Sequence, residues 1–170
     1  MNFDDILEFC DQRQPDDNTS SWGWGTECKI ERCVIPSDDI SQLLWPSINF
    51  FASEFMPCQV KLCNPWINFY KRGFYQETHD HHEEDFAAVM FLNDGDDFGE
   101  FYFQDRNNLS FSKQAKKFLG YGNVLRPGCK AGEIIFFPAH MMHGVTTHES
   151  DTVRKTIAFN FNILASPETT

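Results

Sequence analysis

Three histidines and one arginine are the most chemically suggestive residues of this sequence. His79 and His81 are separated by one residue, and His143 and Arg154 follow much further along the chain. Two histidines at positions i and i+2 of an extended strand project from the same face of a sheet. Imidazole binds iron, zinc, copper and nickel, so the histidines predict a metal site without identifying one metal.

The segment around His81 offers other ligand sets. Three histidines can fill one face of an octahedral metal, whereas the commoner non-haem iron site combines two histidines with one carboxylate. Glu83, Glu84 or Asp85 could supply that carboxylate. A solvated polar loop is the alternative to any metal site here, and the sequence leaves these possibilities open.

Two further histidines lie near His143. His140 and His143 differ by an odd number of positions, so on an extended strand they face opposite ways. Only one of them is therefore expected to be a ligand. His148 lies in the polar stretch THESD and is expected to be exposed.

The last apolar segment predicts a strand that begins near Arg154. Alternate residues from Val153 to Ile163 are largely apolar, whereas the set from Arg154 to Asn162 is largely polar. If both faces of this strand are covered, the polar set lines a cavity, and a buried arginine there needs an anion. The alternative is a surface strand on which Arg154 pairs with a nearby acid such as Asp151.

The elements that must position these residues are N-terminal helices followed by strands. Residues 3–12 predict a short amphipathic helix, residues 28–35 a first strand, and Ser37 the N-cap of a helix that Pro46 should kink or end. From Val60 onward, aromatic and β-branched segments predict antiparallel strands. This order is typical of a mostly β fold with N-terminal helices, a double-stranded β-helix of the jelly-roll, cupin-like type.

A single domain is expected over the whole chain. Its parts would be a helical support region, the double-stranded β-helix core and a short tail, at residues 1–59, 60–164 and 165–170. Trp22, Trp24 and the polar insert at 106–131 could border a substrate groove.

Composition predicts a folded protein that is cytoplasmic or otherwise soluble and intracellular. Hydrophobic residues make up 41% and aromatic residues 15%, which is too apolar for a disordered chain. No apolar run approaches the roughly 20 residues of a membrane-spanning helix, and the N-terminus lacks a signal-peptide pattern. A formal net charge of -11 without a basic stripe argues against a nucleic-acid partner. The six cysteines form no C-x-x-C pair and are expected to be reduced.

Several short motifs, taken together, resemble the core of the 2-oxoglutarate/Fe(II)-dependent dioxygenases. In the family's order they are Tyr70-x-x-Gly73, His79-x-His81, the segment GEIIFFP followed by His143, and Arg154-x-Thr156. The resemblance is strongest to the prolyl-hydroxylase-like branch and to small phage and bacterial members whose first motif reads His-x-His, so a virus-encoded protein is one expectation. It covers about residues 60–164.

This resemblance implies an oxidoreductase that hydroxylates a C–H bond. The implied Fe(II) ligands are His79, His81 and His143, and the residues implied to bind the cosubstrate 2-oxoglutarate are Arg154, Thr156 and Tyr70. Asn160 and Asn162 are candidates to orient a carboxylate or water. Ascorbate is a candidate reductant, and the substrate is expected to be a peptide, a protein or a small molecule, with peptidyl proline as the first candidate. No membrane partner is expected.

The same stretch also fits the cupin pattern. The first cupin motif is imitated by Gly73, His79, His81 and Asp85, and the second by Gly132, Pro138 and His143. Cupins share the double-stranded β-helix, so a cupin-type metal protein, enzyme or sensor, that does not use 2-oxoglutarate is the alternative function. A non-catalytic binding module is a third. Arg154 and Thr156 favour the oxygenase, since they have a role there and none in the cupin pattern.

Overall fold

The computed structural model describes residues 2–16, 30–55, 59–105, 114, 117–118 and 123–164. The elements in chain order are α1 (Phe3–Asp11), β1 (Glu31–Val34), α2 (Ser37–Phe55), β2 (Gln59–Tyr70), β3 (Gln76–His79), β4 (Phe86–Phe91), β5 (Phe101–Gln104), β6 (Val124–Leu125), β7 (Ile134–Pro138), β8 (His143–Val145) and β9 (Arg154–Leu164). Trp22, Trp24, the tail at 165–170 and most of the 106–131 insert lie outside the described residues.

The strands form two antiparallel sheets. One has the order β1-β2-β9-β4-β7 and the other the order β3-β8-β5-β6. Their inner faces share one apolar core, in which Ala87 and Phe137 of the five-stranded sheet pack with Phe101, Phe103 and Val145 of the four-stranded sheet. Two packed antiparallel sheets of this kind confirm the predicted jelly roll with N-terminal helices.

The two helices cover the outer face of the five-stranded sheet. Ile40, Leu44 and Ile48 recur every four residues along α2 and are fully buried, as is Ile6 of α1. They pack in one core cluster with Phe159 of β9. Both faces of the large sheet are therefore covered, one by helices and the other by the small sheet.

Helix α2 does not end at Pro46, so that alternative of the prediction is wrong. The helix runs through Pro46 to Phe55. A proline inside a helix removes only the hydrogen bond to the carbonyl four residues earlier, which belongs to Gln42. Both Pro46 and Gln42 are exposed, so water can satisfy that carbonyl while the opposite, apolar face holds the helix in place.

Strand β9 lies in the middle of the large sheet and pairs with both β2 and β4. Ile157 and Phe159 face the helices, whereas Arg154, Thr156 and Asn160 are buried on the face toward the small sheet. Of the two alternatives for this strand, the structure shows the one in which both faces are covered. Its polar residues therefore line the interior of the fold.

No helix among the described residues is long and apolar enough to span a membrane. Cys10, Cys33, Cys63 and Cys129 are free thiols.

Candidate active site

The structure brings the three predicted metal ligands together. His79 and His143 are directly opposite one another on β3 and β8, with ring centroids 4.2 Å apart. The His81 ring lies 5.2 Å from that of His79 and 5.1 Å from that of His143. One possible ligand atom of each lies within 4.8 Å of the other two. These residues are called the three-histidine cluster below.

His81 is placed by a turn rather than by the expected strand, because β3 ends at His79. The backbone N–H of His81 donates to the carbonyl of Ala139 at 2.9 Å, and its own carbonyl accepts from the N–H of Glu84 at 3.0 Å. The Trp66 indole stacks on the imidazole, with 5.8 Å between centroids and 14° between planes. These contacts turn the His81 ring toward the other two.

Hydrogen bonds to backbone carbonyls fix two of the three imidazoles. His79 Nδ1 lies 2.8 Å from the carbonyl of Glu77, and His143 Nδ1 lies 2.8 Å from the carbonyl of Met141. A carbonyl only accepts, so Nδ1 carries the proton and Nε2 keeps its lone pair. Metal-binding histidines are commonly oriented by such a second hydrogen bond.

Burial keeps the cluster neutral. Desolvation is the largest cause in each case and lowers the pKa of His79 to about 2, of His143 to about 3 and of His81 to about 4. The positive charge of Arg32 lowers the pKa of His79 and His81 further. A neutral imidazole is the form that binds a metal.

The carboxylates that follow His81 are engaged elsewhere or exposed. Asp85 Oδ2 accepts from the Ile163 N–H at 2.8 Å, and the Asp85 N–H donates to Asn162 Oδ1 at 2.9 Å. The Asn162 side chain therefore fixes the backbone at Asp85, whereas the sequence made it a candidate to orient a carboxylate or water. Glu83 is exposed. Among the described residues, the candidate metal site consists of histidines alone.

His140 is exposed, whereas His143 is buried in the cluster, which agrees with the expectation that the two face opposite ways.

Arg154 is a buried guanidinium at the start of β9. Only 4% of the residue is exposed, and its Cζ lies 4.9 Å from the Tyr70 ring centroid and 5.5 Å from that of Phe91. Its Nη1 is buried and has no hydrogen-bond partner among the described residues. Asp151 pairs with Arg72 instead, at 2.6 Å, so the alternative pairing of Arg154 with Asp151 is wrong. A buried cation in this state fits an anionic ligand.

Thr156 and Tyr70 are both nearly inaccessible and belong to polar chains that the sequence did not predict. The Trp66 indole N–H donates to Asn68 Oδ1 at 2.8 Å, and Asn68 Nδ2 donates to Thr156 Oγ1 at 3.1 Å. Asn68 thus fixes the Thr156 hydroxyl. Its position on β2, two residues before Tyr70 and hence on the same face, was the one signal that could have identified it.

The second chain runs from Tyr70 to the cluster. The Tyr70 hydroxyl donates to Gln76 Oε1 at 2.9 Å, and Gln76 Nε2 lies 3.2 Å from His79 Nε2. Because His79 Nδ1 carries the proton, Gln76 is the donor in that contact. The Tyr70 ring also lies against Arg154, whose Cζ is 4.9 Å from the ring centroid. It therefore links the guanidinium to the histidines.

All of these side chains line one cavity between the two sheets. The polar members are Asn68, Tyr70, Gln76, His79, His81, His143, Arg154, Thr156 and Asn160. The expected metal ligands and the expected cosubstrate residues therefore face a common space, with apolar residues of both sheets as its remaining wall.

The expectation that His148 is exposed is wrong. The residue is fully buried, and both ring nitrogens have partners: Nδ1 accepts from the Gly99 N–H at 3.2 Å, and Nε2 donates to the Thr152 carbonyl at 2.8 Å. The His148 imidazole thus links the loop that contains Gly99 to the loop that contains Thr152. Its polar sequence neighbours gave no sign of this, since they face solvent around it.

The family model described as putative 2OG-Fe(II) oxygenase matches residues 64–160, more than half of the chain. This protein therefore belongs to that family, an oxidoreductase family that uses Fe(II) and 2-oxoglutarate. Membership confirms the superfamily and, at the level of the family, the expected cofactors. No curated protein sequence matches the chain.

Several solved structures are similar to this chain in fold. An oxidoreductase of the 2OG-Fe(II) oxygenase family from Burkholderia pseudomallei is 16% identical with a TM-score of 0.65, over 93% of this chain and 75% of that one. HygX from Streptomyces hygroscopicus, with nickel, 2-oxoglutarate and hygromycin B bound, is 11% identical with a TM-score of 0.68, over 94% and 77%. A Pseudomonas putida prolyl-4-hydroxylase is 14% identical with a TM-score of 0.63, over 95% and 88%. At these identities the similarity shows the fold.

Proposed function

We propose that this protein is an Fe(II)- and 2-oxoglutarate-dependent hydroxylase that binds the metal through the three-histidine cluster. The observation that carries the proposal is the common cavity of this cluster and Arg154. A neutral, buried set of imidazoles fits a divalent cation, and a buried guanidinium with an unsatisfied Nη1 fits a carboxylate. The two halves of such a site are present in one enclosed space.

Each residue of the cavity has a definite task in this proposal. The planar fork of Arg154 pairs with the C5 carboxylate of 2-oxoglutarate, and the Thr156 hydroxyl, fixed by Asn68, lies alongside. Tyr70 holds the guanidinium in place through its ring. Asn160 lines the same cavity next to His81.

Bound Fe(II) and 2-oxoglutarate supply, together with dioxygen, the oxidising chemistry that inserts an oxygen atom into a C–H bond. The protein's own contribution is to hold three ligand positions and to leave the others open. The apolar walls around Phe101, Phe137 and Val145 exclude water from the reacting groups.

Peptidyl proline is the first candidate substrate. It is supported by the motif order of the prolyl-hydroxylase-like branch and by the similarity in fold to a bacterial prolyl-4-hydroxylase. A cupin-type protein that does not use 2-oxoglutarate is disfavoured by the family match and by the buried Arg154, which has no task in a cupin site.

Replacement of Arg154 by alanine tests the proposal. Under anaerobic conditions, Fe(II)-loaded wild type should bind 2-oxoglutarate and show the weak visible charge-transfer band of a metal-chelated oxo acid. Arg154→Ala should retain the metal but bind 2-oxoglutarate roughly 10- to 100-fold more weakly, because a charge-assisted bidentate pair contributes about 1.5–3 kcal/mol. Calorimetric titration measures both ligands.

The matched control is Arg72→Ala, which removes an exposed arginine that pairs with Asp151 and lines neither of the pockets that Arg154 lines. It should bind 2-oxoglutarate like the wild type. Tight metal binding by the wild type without any affinity for 2-oxoglutarate would refute the proposal and favour the cupin-type alternative.

A further inference from the structure

Gln76 faces the cavity between the sheets because strand β3 is irregular. Gln76 and His79 are separated by an odd number of positions, so on a regular strand their side chains would point to opposite faces. In the register with β8, Gln76 lies opposite Val145. His79, three positions later on β3, lies opposite His143, only two positions earlier on β8. One extra residue of this kind is a β-bulge, which re-aims side chains and is common beside active sites. Both Gln76 and His79 therefore line the cavity.

The Gln76 carboxamide is held at both ends inside this cavity. Only 6% of the residue is exposed, and its Oε1 accepts from the Tyr70 hydroxyl at 2.9 Å. Its other end lies 3.2 Å from His79 Nε2. His79 Nδ1 donates to the carbonyl of Glu77, so Nε2 is an acceptor, and the end of the amide that faces it is the NH2 group.

The Gln76 amide and a metal ion need the same lone pair. An imidazole nitrogen has one lone pair in the plane of the ring, which either accepts a hydrogen bond or binds a metal. A metal bound to His79 therefore displaces the Gln76 N–H from Nε2. This displacement costs one hydrogen bond, so Gln76 lowers the affinity of the three-histidine cluster for a metal.

The displaced N–H group needs a new acceptor, because a buried donor without a partner costs free energy. The bond from the Tyr70 hydroxyl to Oε1 keeps the NH2 end of Gln76 on the side of the cluster. That end therefore faces whatever binds a metal there. In the proposed function this is 2-oxoglutarate, whose carboxylate oxygens are stronger acceptors than a neutral imidazole nitrogen.

We propose that Gln76 is a further binding residue of the site, one that exchanges its partner as the site fills. Its N–H competes with the metal for His79 Nε2 and then donates to an oxygen of the 2-oxoglutarate that binds this metal. Gln76 thereby weakens the binding of the metal alone and strengthens the binding of the cosubstrate. This inference rests on the proposed function, because it needs both ligands in the cavity between the sheets.

Replacement of Gln76 by leucine tests the inference, since leucine fills similar space without a hydrogen-bonding or metal-binding atom. Competition for Zn(II) with a chromophoric chelator, without any oxo acid, measures metal affinity. Gln76→Leu should bind Zn(II) roughly 2- to 10-fold more tightly than the wild type, as expected when one competing hydrogen bond is removed. Calorimetry on the Zn(II)-loaded variant should show roughly tenfold weaker binding of 2-oxoglutarate, because a charge-assisted hydrogen bond is lost.

The opposite signs of these two changes separate the proposed role from a structural one, since a loosened cavity would bind both ligands more weakly. The matched control is Gln104→Leu on the same small sheet. Gln104 Oε1 also accepts from a hydroxyl, that of Thr78 at 3.0 Å, but Gln104 does not line the cavity between the sheets. This control should leave both affinities unchanged.

A measurement on the wild type gives the same answer if Gln76→Leu does not fold. In nitrogen-15-labelled protein, the side-chain N–H signal of Gln76 should shift when Zn(II) is added. It should move again, downfield, when 2-oxoglutarate is added, because a carboxylate is the stronger acceptor. The Gln104 side-chain signal should stay in place at both steps. A Gln76 signal that does not respond to either ligand overturns the inference.

Failure of the proposed function and failure of this inference give different results. If the wild type binds Zn(II) but no 2-oxoglutarate, the proposed function fails before any variant is made. If the wild type binds both, the role of Gln76 alone is overturned when Gln76→Leu binds Zn(II) no more tightly, or 2-oxoglutarate no more weakly, than the wild type.

Discussion

Hydrogen bonds at Nδ1 fix which nitrogen of His79 and His143 can face a metal. The carbonyls of Glu77 and Met141 accept from these atoms at 2.8 Å, so Nε2 points into the cavity with its lone pair available. The Gln76 amide, 3.2 Å from His79 Nε2, donates to the same lone pair that a metal would use. The ring is therefore held in its binding orientation before any metal arrives.

Replacement of His143 by alanine should abolish tight metal binding. With one of three ligands lost, we expect the affinity for Co(II) or Fe(II) to fall by more than the roughly 10- to 100-fold cost of losing an outer hydrogen-bond partner. Equilibrium dialysis, supported by the visible absorption of Co(II), measures the change. The control is His140→Ala, which removes an exposed imidazole three residues away and should bind metal normally. Equal loss in both variants would contradict the assignment.

Residue types and spacing predicted the cluster and Arg154 only together with the family resemblance, because taken alone they left Glu83, Glu84 and Asp85 open as ligands. They were not sufficient for Asn68 and Gln76, since an amide on a strand looks the same whether it faces solvent or a cavity. The exposure of His148 was wrongly predicted for a related reason. Burial of a single polar residue depends on loops that pack over it, and its neighbours carry no trace of that packing.

Among the elements, helix α2 shows how packing overrides a local preference. Pro46 is a helix breaker, yet the buried stripe of Ile40, Leu44 and Ile48 continues on both sides of it against the large sheet. Burial of such side chains stabilises by roughly 1.5–3 kcal/mol each, which exceeds the cost of one missing hydrogen bond on the exposed side. Sequence rules that weigh Pro46 alone cannot include this compensation.

Replacement of Pro46 by alanine should stabilise the protein. Alanine restores a donor to the Gln42 carbonyl and removes the steric cost of the ring, against a smaller gain in the entropy of the unfolded chain. We expect the free energy of unfolding to rise by about 1–2 kcal/mol. Urea denaturation measures it, with Asn49→Ala as the control at an exposed position of the same helix, which should change stability less. A lower stability of Pro46→Ala would show that the proline fits an unusual local conformation.

At the scale of the whole molecule, the fold buries its functional groups on the inner face of a central strand. Strand β9 has helices behind it and the small sheet in front, so Arg154 and Thr156 are almost inaccessible. The fold class was predictable from the order of helical and strand patterns along the chain, whereas alternation along β9 left open whether its polar face is covered or exposed.

Acid should destabilise the metal-free protein through the cluster. The folded-state pKa values of about 2, 3 and 4 lie below the ordinary value of 6.5. As the pH falls below about 6.5, the unfolded chain binds protons that the folded chain does not, so stability is lost down to the folded-state values. Above pH 6.5 this contribution is constant. Urea denaturation in the presence of a chelator, between pH 7.5 and 5, measures the loss.

The control for this prediction is His143→Gln, which removes one of the three imidazoles whose pKa is lowered. The stability of this variant should fall less steeply than that of the wild type as the pH decreases. This comparison is needed because the chain has a net charge of -11, and acid also relieves repulsion among its carboxylates. If wild type and His143→Gln follow the same pH dependence, the cluster does not contribute.

The pairing of His79 with His143 has one more consequence. Strand β3 is the outermost strand of the small sheet and is bound to it through β8. The two registered pairs between β3 and β8 are Gln76–Val145 and His79–His143. One of these two pairs therefore consists of prospective metal ligands. A metal shared by the two histidines would act as a cross-link at the sheet margin and reduce the entropy that the strand gains by peeling away. Release of the metal and opening of that margin would then be a single event.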